Sequence, residues 1–473
     1  MDYLYILPEL ILVAVALVLL VASAVVDKGR QGFIPAVTAA GFLAAMVAVY
    51  PAIGQQSSIF GRMVAVDGFA QFFKVIFLAV GILVTLASAG YMAKQETSGG
   101  EYYVLLMFAV TGMIIMASST DLLAIWLGLE LVSMASYVLA GYRREDPKSN
   151  EAAIKYFLMG AIASAALLFG LSLLYGFTGT TNLLDLTNYE QKAMSGSAVL
   201  RVAMFFLVAG FGFKVALVPF HMWAPDAYEG APTPVTAFFS IGPKAAGLAA
   251  LIRIFPIGLA GLAGHWSILF AILAAVSMTV GNLTALGQKN IKRMMAYSSI
   301  AQIGYITIGL AVSSARSIEA IMYYVLAYVF INAGLFAMII LLDERGIGQK
   351  IEDYAGLSQR APMAAAAMVV FFVALIGIPF TSGFFAKFFI FTSAVESGFM
   401  WLAILLAVNS AISVGYYYGV VRAMYLEAPK DPSPVKVPPS LGAVLLTGAL
   451  ATLAIGIFSE PFLRLIGLVS PVR

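Results

Sequence analysis

Cysteine is absent from the 473 residues of this chain, and histidine occurs only twice, as His221 and His265. The first absence excludes disulfides, thiolate zinc sites and cysteine-ligated iron–sulfur clusters. The second leaves a bis-histidine haem without a credible ligand pair. Charge is scarce as well: Asp, Glu, Lys and Arg make up 11% of the chain, with a formal net charge of +3. A soluble domain carries about 25% charged residues. Charges so few and so scattered build no basic face for nucleic acid. Neither a GxGxxG run after a strand pattern nor a GxxxxGK[ST] phosphate loop occurs. If the chain serves a redox- or ATP-driven machine, the cofactors sit on other chains.

What is present is apolar. Hydrophobic residues make up 62% of the sequence, and the mean hydropathy is +0.95. No soluble core hides that much apolar surface, so the surrounding solvent is lipid. A membrane-crossing helix needs about 20 mainly apolar residues. Fourteen such runs can be read, numbered here as spans: 3–25, 33–52, 68–92, 102–119, 121–142, 152–177, 198–220, 232–255, 266–287, 292–312, 317–342, 362–394, 399–425 and 439–466. The first run is long and lacks a basic leader, so it reads as a retained helix rather than a signal peptide. The expected fold is all-α: a polytopic helical bundle of about 14 transmembrane helices in one integral membrane domain, 1–473. Lysine and arginine concentrate in the odd-numbered connections, fifteen against seven in the even-numbered connections and termini. That asymmetry predicts both termini on the outer side.

Five lysines remain inside spans: Lys74, Lys155, Lys214, Lys244 and Lys387. Among the acids, Glu130 stands alone near the middle of span five. A charge at the bilayer centre costs about 2.5–3.5 kcal/mol on insertion scales, so packing alone gives no reason for these groups. Arginine keeps its proton in any plausible setting, whereas lysine can release one. Burial weakens a lysine's hold on its proton and a nearby carboxylate strengthens it. Moving a proton against ~150 mV takes ~3.5 kcal/mol, and one ion pair forming and breaking in a poorly solvated site supplies a change of that size. Lys74 and Lys155 lie close to their span starts, where reaching back to the interface is the simpler reading and a relay on the proton path the other. Lys214, Lys244, Lys387 and Glu130 lie deeper, as either static ion pairs or stations on a proton path. His221 reads as a relay or an interfacial histidine, and His265 as interfacial.

Two spans are interrupted. Span seven carries Pro219 in KVALVPFHMWAP, and span twelve carries Gly377, Pro379 and Gly383 in IGIPFTSGFFAKFF. Backbone groups freed at membrane depth are tolerated only in a protein-lined or wet interior. Spans four to eight and nine to thirteen form two sets of five, and the odd number inverts the second set. The breaks fall on the fourth member of each, as in inverted-repeat transporters. The division is then 1–100 (three N-terminal helices), 101–256 and 266–426 (the two repeats) and 437–473 (a C-terminal helix).

The run FKVALVPFHMWAPDAYEGAPTPVTAFFSIGPKAAG, with LPEL at 7–10, DGFAQFFK at 67–74, IKRMMAYSSIAQIGY at 291–305 and GIPFTSGFFAKF at 377–388, resembles subunit N of NADH-quinone oxidoreductase, respiratory complex I. The resemblance covers nearly the whole chain. It implies discontinuous helices seven and twelve and a half-channel in each repeat. Glu130, Lys214, Lys244 and Lys387 match the family's functional glutamate and lysines. Gln302 departs from a histidine frequent in relatives, leaving Gln302 with ordered water as the polar link there, and Phe380 departs from a second proline. The function implied is proton translocation as a subunit of a proton-pumping NADH:quinone oxidoreductase, a translocase, with no redox site in this chain. FMN, iron–sulfur clusters and quinone are then expected on partner subunits, in company with other antiporter-like and small membrane subunits, the peripheral redox arm and the lipid of a bacterial inner membrane. The alternative is a subunit of a multi-chain cation/proton antiporter.

Overall fold

A computed structural model describes residues 2–94, 99–187 and 197–472, so Lys192 and Arg473, two of the cations counted above, lie outside the described residues. The elements are α1 (Leu7–Val25), α2 (Ile34–Val47), a hairpin of β1 (Ser57–Ile59) and β2 (Val64–Val66), α3 (Gly68–Ala93), α4 (Gly99–Ser118), α5 (Leu122–Ala140), α6 (Pro147–Thr178), α7 (Ala198–Val215), α8 (Trp223–Gly230) and α9 (Thr233–Ile252). They continue as α10 (Ala263–Leu286), α11 (Ile291–Val312), α12 (Ala315–Glu344), α13 (Pro362–Ile376), α14 (Ser382–Glu396), α15 (Met400–Leu426), α16 (Pro439–Ile457) and α17 (Ser459–Val469). Among the described residues, thirteen helices are long and apolar enough to cross a membrane. The short pair α13 and α14 occupies the remaining expected crossing, span twelve.

Helix starts follow the sequence's capping chemistry. Asp67, Asp121, Asp146 and Asn290 each accept backbone N–H bonds at the head of α3, α5, α6 and α11, satisfying donors that the first turn leaves free. Span seven is shorter than expected: α7 stops at Val215, where Ala216 takes φ 62° and bonds back to Gly212 and Phe213. The chain then runs without regular helix to Trp223. Span fourteen also divides, into α16 and the shorter α17.

The two sets of five share their neighbour pattern. The first two helices of each set, α4 with α5 and α10 with α11, are paired through glycines at their crossings. A Cβ on Gly112 would lie 2.7 Å from the Gly128 carbonyl oxygen, and one on Gly281 would lie 2.6 Å from the Ala301 nitrogen. Backbones meet there because no side chain stands between them. Helix α9 touches α3, α4, α5, α7 and α8 on one side and α11 and α12 on the other, and every one of its residues is buried. By contrast fewer than half of the residues along the apolar stretches of α1, α2, α6, α15 and α16 are buried, which leaves apolar side chains for lipid or neighbouring helices to cover.

Two cations read as connection residues belong to the interior. Arg253 continues from α9, 3% exposed, and donates to both carboxylate oxygens of Asp67 at 2.7 and 2.8 Å and to the Ala117 carbonyl at 2.9 Å. Burial pushes the Asp67 carboxyl up, but the Arg253 guanidinium and the Ala70 N–H outweigh it and hold Asp67 below the ordinary carboxylate range. Lys292, 1% exposed, is the second. A further acid is engaged inside a span: Glu9, on the first turn of α1, pairs with Lys74 at 2.7 Å.

Candidate functional site

Lys214, Lys244 and Lys387 are all at most 5% exposed. Lys214 lies on the last turn of α7, and its Nζ donates to Ser133 Oγ on α5 at 3.0 Å. Glu130 stands one turn before Ser133 on the same helix. Its Oε1 accepts from the Ser164 hydroxyl of α6, which in turn accepts from the Trp126 indole at 3.1 Å. No ion pair within 4.0 Å joins Glu130 to Lys214, so acid and amine face the same serine turn without touching. The α7 break is braced where Trp223 Nε1 donates to the Phe213 carbonyl at 2.8 Å. Tyr156 stacks on the Trp223 indole at 4.2 Å. Val218 N donates to Ser277 Oγ of α10 at 2.9 Å, tying the first set's break to the second set.

Lys244 follows Pro243 in α9. Its Nζ donates to Ser299 Oγ of α11 and lies 5.2 Å from the centre of the Tyr228 ring. Lys387, on α14, reaches back across its break to donate to the carbonyls of Leu375 and Ile376 at 2.8 and 3.0 Å and to Ser410 Oγ at 2.8 Å. Three acceptors match the three N–H bonds of an ammonium. Two of them are the free carbonyls ending α13, the negative end of that helix's dipole. The Tyr305 ring lies 4.7 Å beneath. Gly377, at φ 91°, turns the chain out of α13. Gly383 lets α14 begin hard against the Ala374 carbonyl, where any Cβ would collide.

Between these stations α11 supplies polar groups on one face. Ser298 bonds the Tyr417 hydroxyl. Gln302 Nε2 donates to Tyr417 Oη at 3.5 Å and to the Leu375 carbonyl at 3.3 Å, and its Oε1 accepts from Tyr324. The Leu375 oxygen therefore serves both Gln302 and Lys387. Tyr305, one turn on, accepts from Asn282 Nδ2 at 2.7 Å, and Asn282 Oδ1 accepts from Tyr416 at 2.9 Å. Residues 298, 302 and 305 recur at four and three, the spacing of one helix face, so a polar thread runs from the neighbourhood of Lys244 to Lys387. No hydrogen bond among the described residues spans Lys214 to Lys244. The buried Nδ1 of His221, just past the α7 break, accepts no hydrogen bond from the described residues, which would cost about 1–3 kcal/mol if left dry.

Residues 119–413 match the family described as NADH:quinone oxidoreductase/Mrp antiporter, TM. The chain belongs to this family. NADH-quinone oxidoreductase subunit N 2 of Symbiobacterium thermophilum is 47% identical to it, across 98% of this chain and 96% of that protein. F(420)H(2) dehydrogenase subunit N of Methanosarcina mazei is 39% identical, across 98% and 97%. A chain of Thermus thermophilus respiratory complex I, solved with bound aureothin, superposes with a TM-score of 0.82 at 31% identity, covering 98% of this chain and 100% of that one.

In this antiporter-family chain the remaining candidates divide. Lys155 does reach out as expected, exposed and paired with Glu151 at 2.7 Å and Asp226 at 2.8 Å. Lys74 does not: it is buried against Glu9 and the Tyr5 carbonyl at 3.0 Å. Pro219 lies within the α7–α8 break and Pro379 within the α13–α14 break. Sequence reasoning missed the serines that hold the lysines, Ser133, Ser299 and Ser410, because a hydroxyl in an apolar helix has no charge to announce it. The α11 thread could have been found: SSIAQIGY places polar groups at helical spacing in an otherwise apolar run. Among the described residues no cluster of three His, Asp or Glu side chains could hold a metal.

Proposed function

We propose that this chain translocates protons as the N-type antiporter-like subunit of a quinone-reducing NADH dehydrogenase complex. Electron transfer proceeds in partner subunits carrying FMN, iron–sulfur clusters and quinone. Glu130 biases Lys214, Lys244 is the central station, and Lys387 loads or releases at the far half-channel. His221 and Gln302 serve as relays between them, Gln302 through the Leu375 carbonyl. Lys74 and Lys155 fall outside this path. The two sets of helices, 101–256 and 266–426, each contribute one half-channel at their broken helix, with the N-terminal three helices and the C-terminal helix as flanks. The chain is a multi-pass protein of the bacterial inner membrane, and the excess of cations on the odd-numbered connections supports both termini facing outward.

The observation that carries this reading is three isolated lysines, each buried on or beside a broken or proline-bearing helix and each held by a hydroxyl rather than a fixed carboxylate. A static ion pair needs its anion in contact. These amines lack one, so their charge is free to respond to a carboxylate that approaches or withdraws. Lys214→Ala in the intact complex, reconstituted into vesicles, should leave assembly intact and cut proton pumping by at least about tenfold. Full coupling in that variant defeats the assignment. Purification with quinone- and NADH-handling subunits, rather than with small membrane subunits alone, separates this function from a cation/proton antiporter.

A further inference from the structure

The path just described has no supply to its middle station. Lys292 sits on the first turn of α11, and its Nζ donates to the Ala231 carbonyl at 2.6 Å. Two residues on, the Thr233 hydroxyl donates to Asp343 Oδ2 at 2.5 Å, and Gln349 Nε2 donates to Asp343 Oδ1 at 3.1 Å. Gln349 also accepts the Ile291 N–H at 2.8 Å. The amine of Lys292 and the carboxylate of Asp343 are thus anchored to the same stretch, Ala231–Thr233, without an ion pair within 4.0 Å. Arg143, Glu229 and Asp146 complete the charges acting on the amine. As with Glu130 and Lys214, an acid and a lysine are held near each other but not in contact, although here the amine bonds a carbonyl and the carboxylate takes the hydroxyl.

Two further features surround the pair. Next to Ala231 is Gly230, which lines an open cavity of about 150 Å³ together with Lys148, Glu151, Asp226, Glu229 and Arg293. In the other direction, Ser299 lies seven residues along α11 from Lys292, about 10 Å up the same helix face. Ser299 holds Lys244, and the Tyr228 hydroxyl of α8 lies 3.4 Å from it. Lys292 thus has a lining residue of the cavity, Gly230, next to its acceptor on one side, and the serine that holds the middle lysine two helical turns away on the other.

We propose that Lys292, served by Asp343, is a proton-uptake station that loads Lys244 from the face bearing the odd-numbered connections. This rests on the proton-translocating reading above. The neutral Lys292 amine takes a proton relayed by cavity water, which regains one from the solvent on that face, and the Asp343 carboxylate stabilises the ammonium so formed. The proton then passes through ordered water and the Tyr228 and Ser299 hydroxyls to the neutral Lys244 amine, which returns Lys292 to its neutral form. The Ala231 carbonyl orients the amine and neither gains nor loses a proton.

The competing account is a structural tie between α11 and the end of α8. Lys292→Met and Lys292→Arg in the intact complex, reconstituted into vesicles, separate the two. Arginine keeps the donor and the charge but does not release its proton. Both variants should assemble, and both should lower the protons moved per electron by at least about twofold. Restoration of pumping by Lys292→Arg overturns the proposal. Asp343→Asn leaves Lys292 in place and should give the same loss, and normal pumping in it also overturns the proposal. Failure of all three variants to assemble makes Lys292 a structural tie and overturns it as well. Lys214→Ala run in parallel keeps the readings apart. If that variant pumps normally, the whole translocation reading fails. If it does not, while the Lys292 and Asp343 variants do, only the uptake route fails.

Discussion

The two halves of the molecule hold their lysines differently. In the first, Lys214 has one hydroxyl acceptor, and Glu130 stands a helical turn from that hydroxyl, itself bonded to Ser164. In the second, Lys387 has three acceptors, two of them the carbonyls that end α13, and α11 contains no acid at all. One half thus places an acid a helical turn from the hydroxyl that holds its lysine, and the other sets the partial charge of a helix end, about half an elementary charge, against the amine. On the proposed reading Glu130 is the partner that is switched, and the carbonyls ending α13 are the partner that is fixed.

Substitutions at corresponding stations should separate these roles. The largest effect is expected for Lys387→Met. Pumping should be lost, and because three hydrogen bonds from the Lys387 amine go with it the detergent-solubilised complex should also be less stable, by about 1–3 kcal/mol, although Gln302 and Ser410 still donate to the Leu375 and Ile376 carbonyls. Lys214→Met removes one donor from Ser133, whose hydroxyl still donates to the Leu129 carbonyl at 2.7 Å, so it should lose pumping with little change in melting temperature. Equal stability losses in the two would erase the contrast.

Next is Glu130→Gln. The amide oxygen can still accept from Ser164, so the fold should be kept while proton flux in vesicles falls by about tenfold or more. Unchanged flux would mean that the first half needs no switched anion.

A smaller effect, a few-fold loss in proton flux, is expected for Gln302→Leu, which cuts the bridge from Tyr417 to the Leu375 carbonyl. Gln302→His should recover most of that loss. A leucine variant that pumps normally would show the halves to be coupled by another route.

The smallest effect concerns a charge pair outside this machinery. The Asp67 carboxyl is held below its ordinary range, so the pair's contribution to stability is complete above the unfolded value near 3.9. It is lost only as pH falls through the lower folded value. The melting temperature should therefore show no Asp67-linked change between pH 8 and pH 5. A drop assigned to Asp67 by its absence in Asp67→Asn would place that carboxyl with the switched groups.

That contrast also explains what could be read before the structure. The helical crossings, both breaks and the four deep ionisable groups follow from hydropathy and from charge where lipid forbids it, which are properties of single residues in a line. Arg253 and Lys292 were misread as connection residues because each sits at the edge of an apolar run, where sequence cannot separate a solvated cation from one drawn inward by Asp67 or Ala231. Lys74 was misread for the same reason: Glu9, its partner, is distant in sequence. The hydroxyls and the Leu375 carbonyl that link the stations were invisible because their role depends on which helices meet, and a carbonyl carries no signature of its own.

Helix α9 has no residue in contact with lipid and packs on elements of both halves and of the N-terminal helices. Carriers that alternate access by rocking one bundle against another need a seam along which the bundles slide. Here the seam is occupied by a helix wedged from every side, bearing Lys244 at its centre. Hinged motion of the halves would have to shear that wedge out of close-packed surroundings. The wedge thus pins the two halves to each other and to the N-terminal helices, and it holds Lys244 where all three meet.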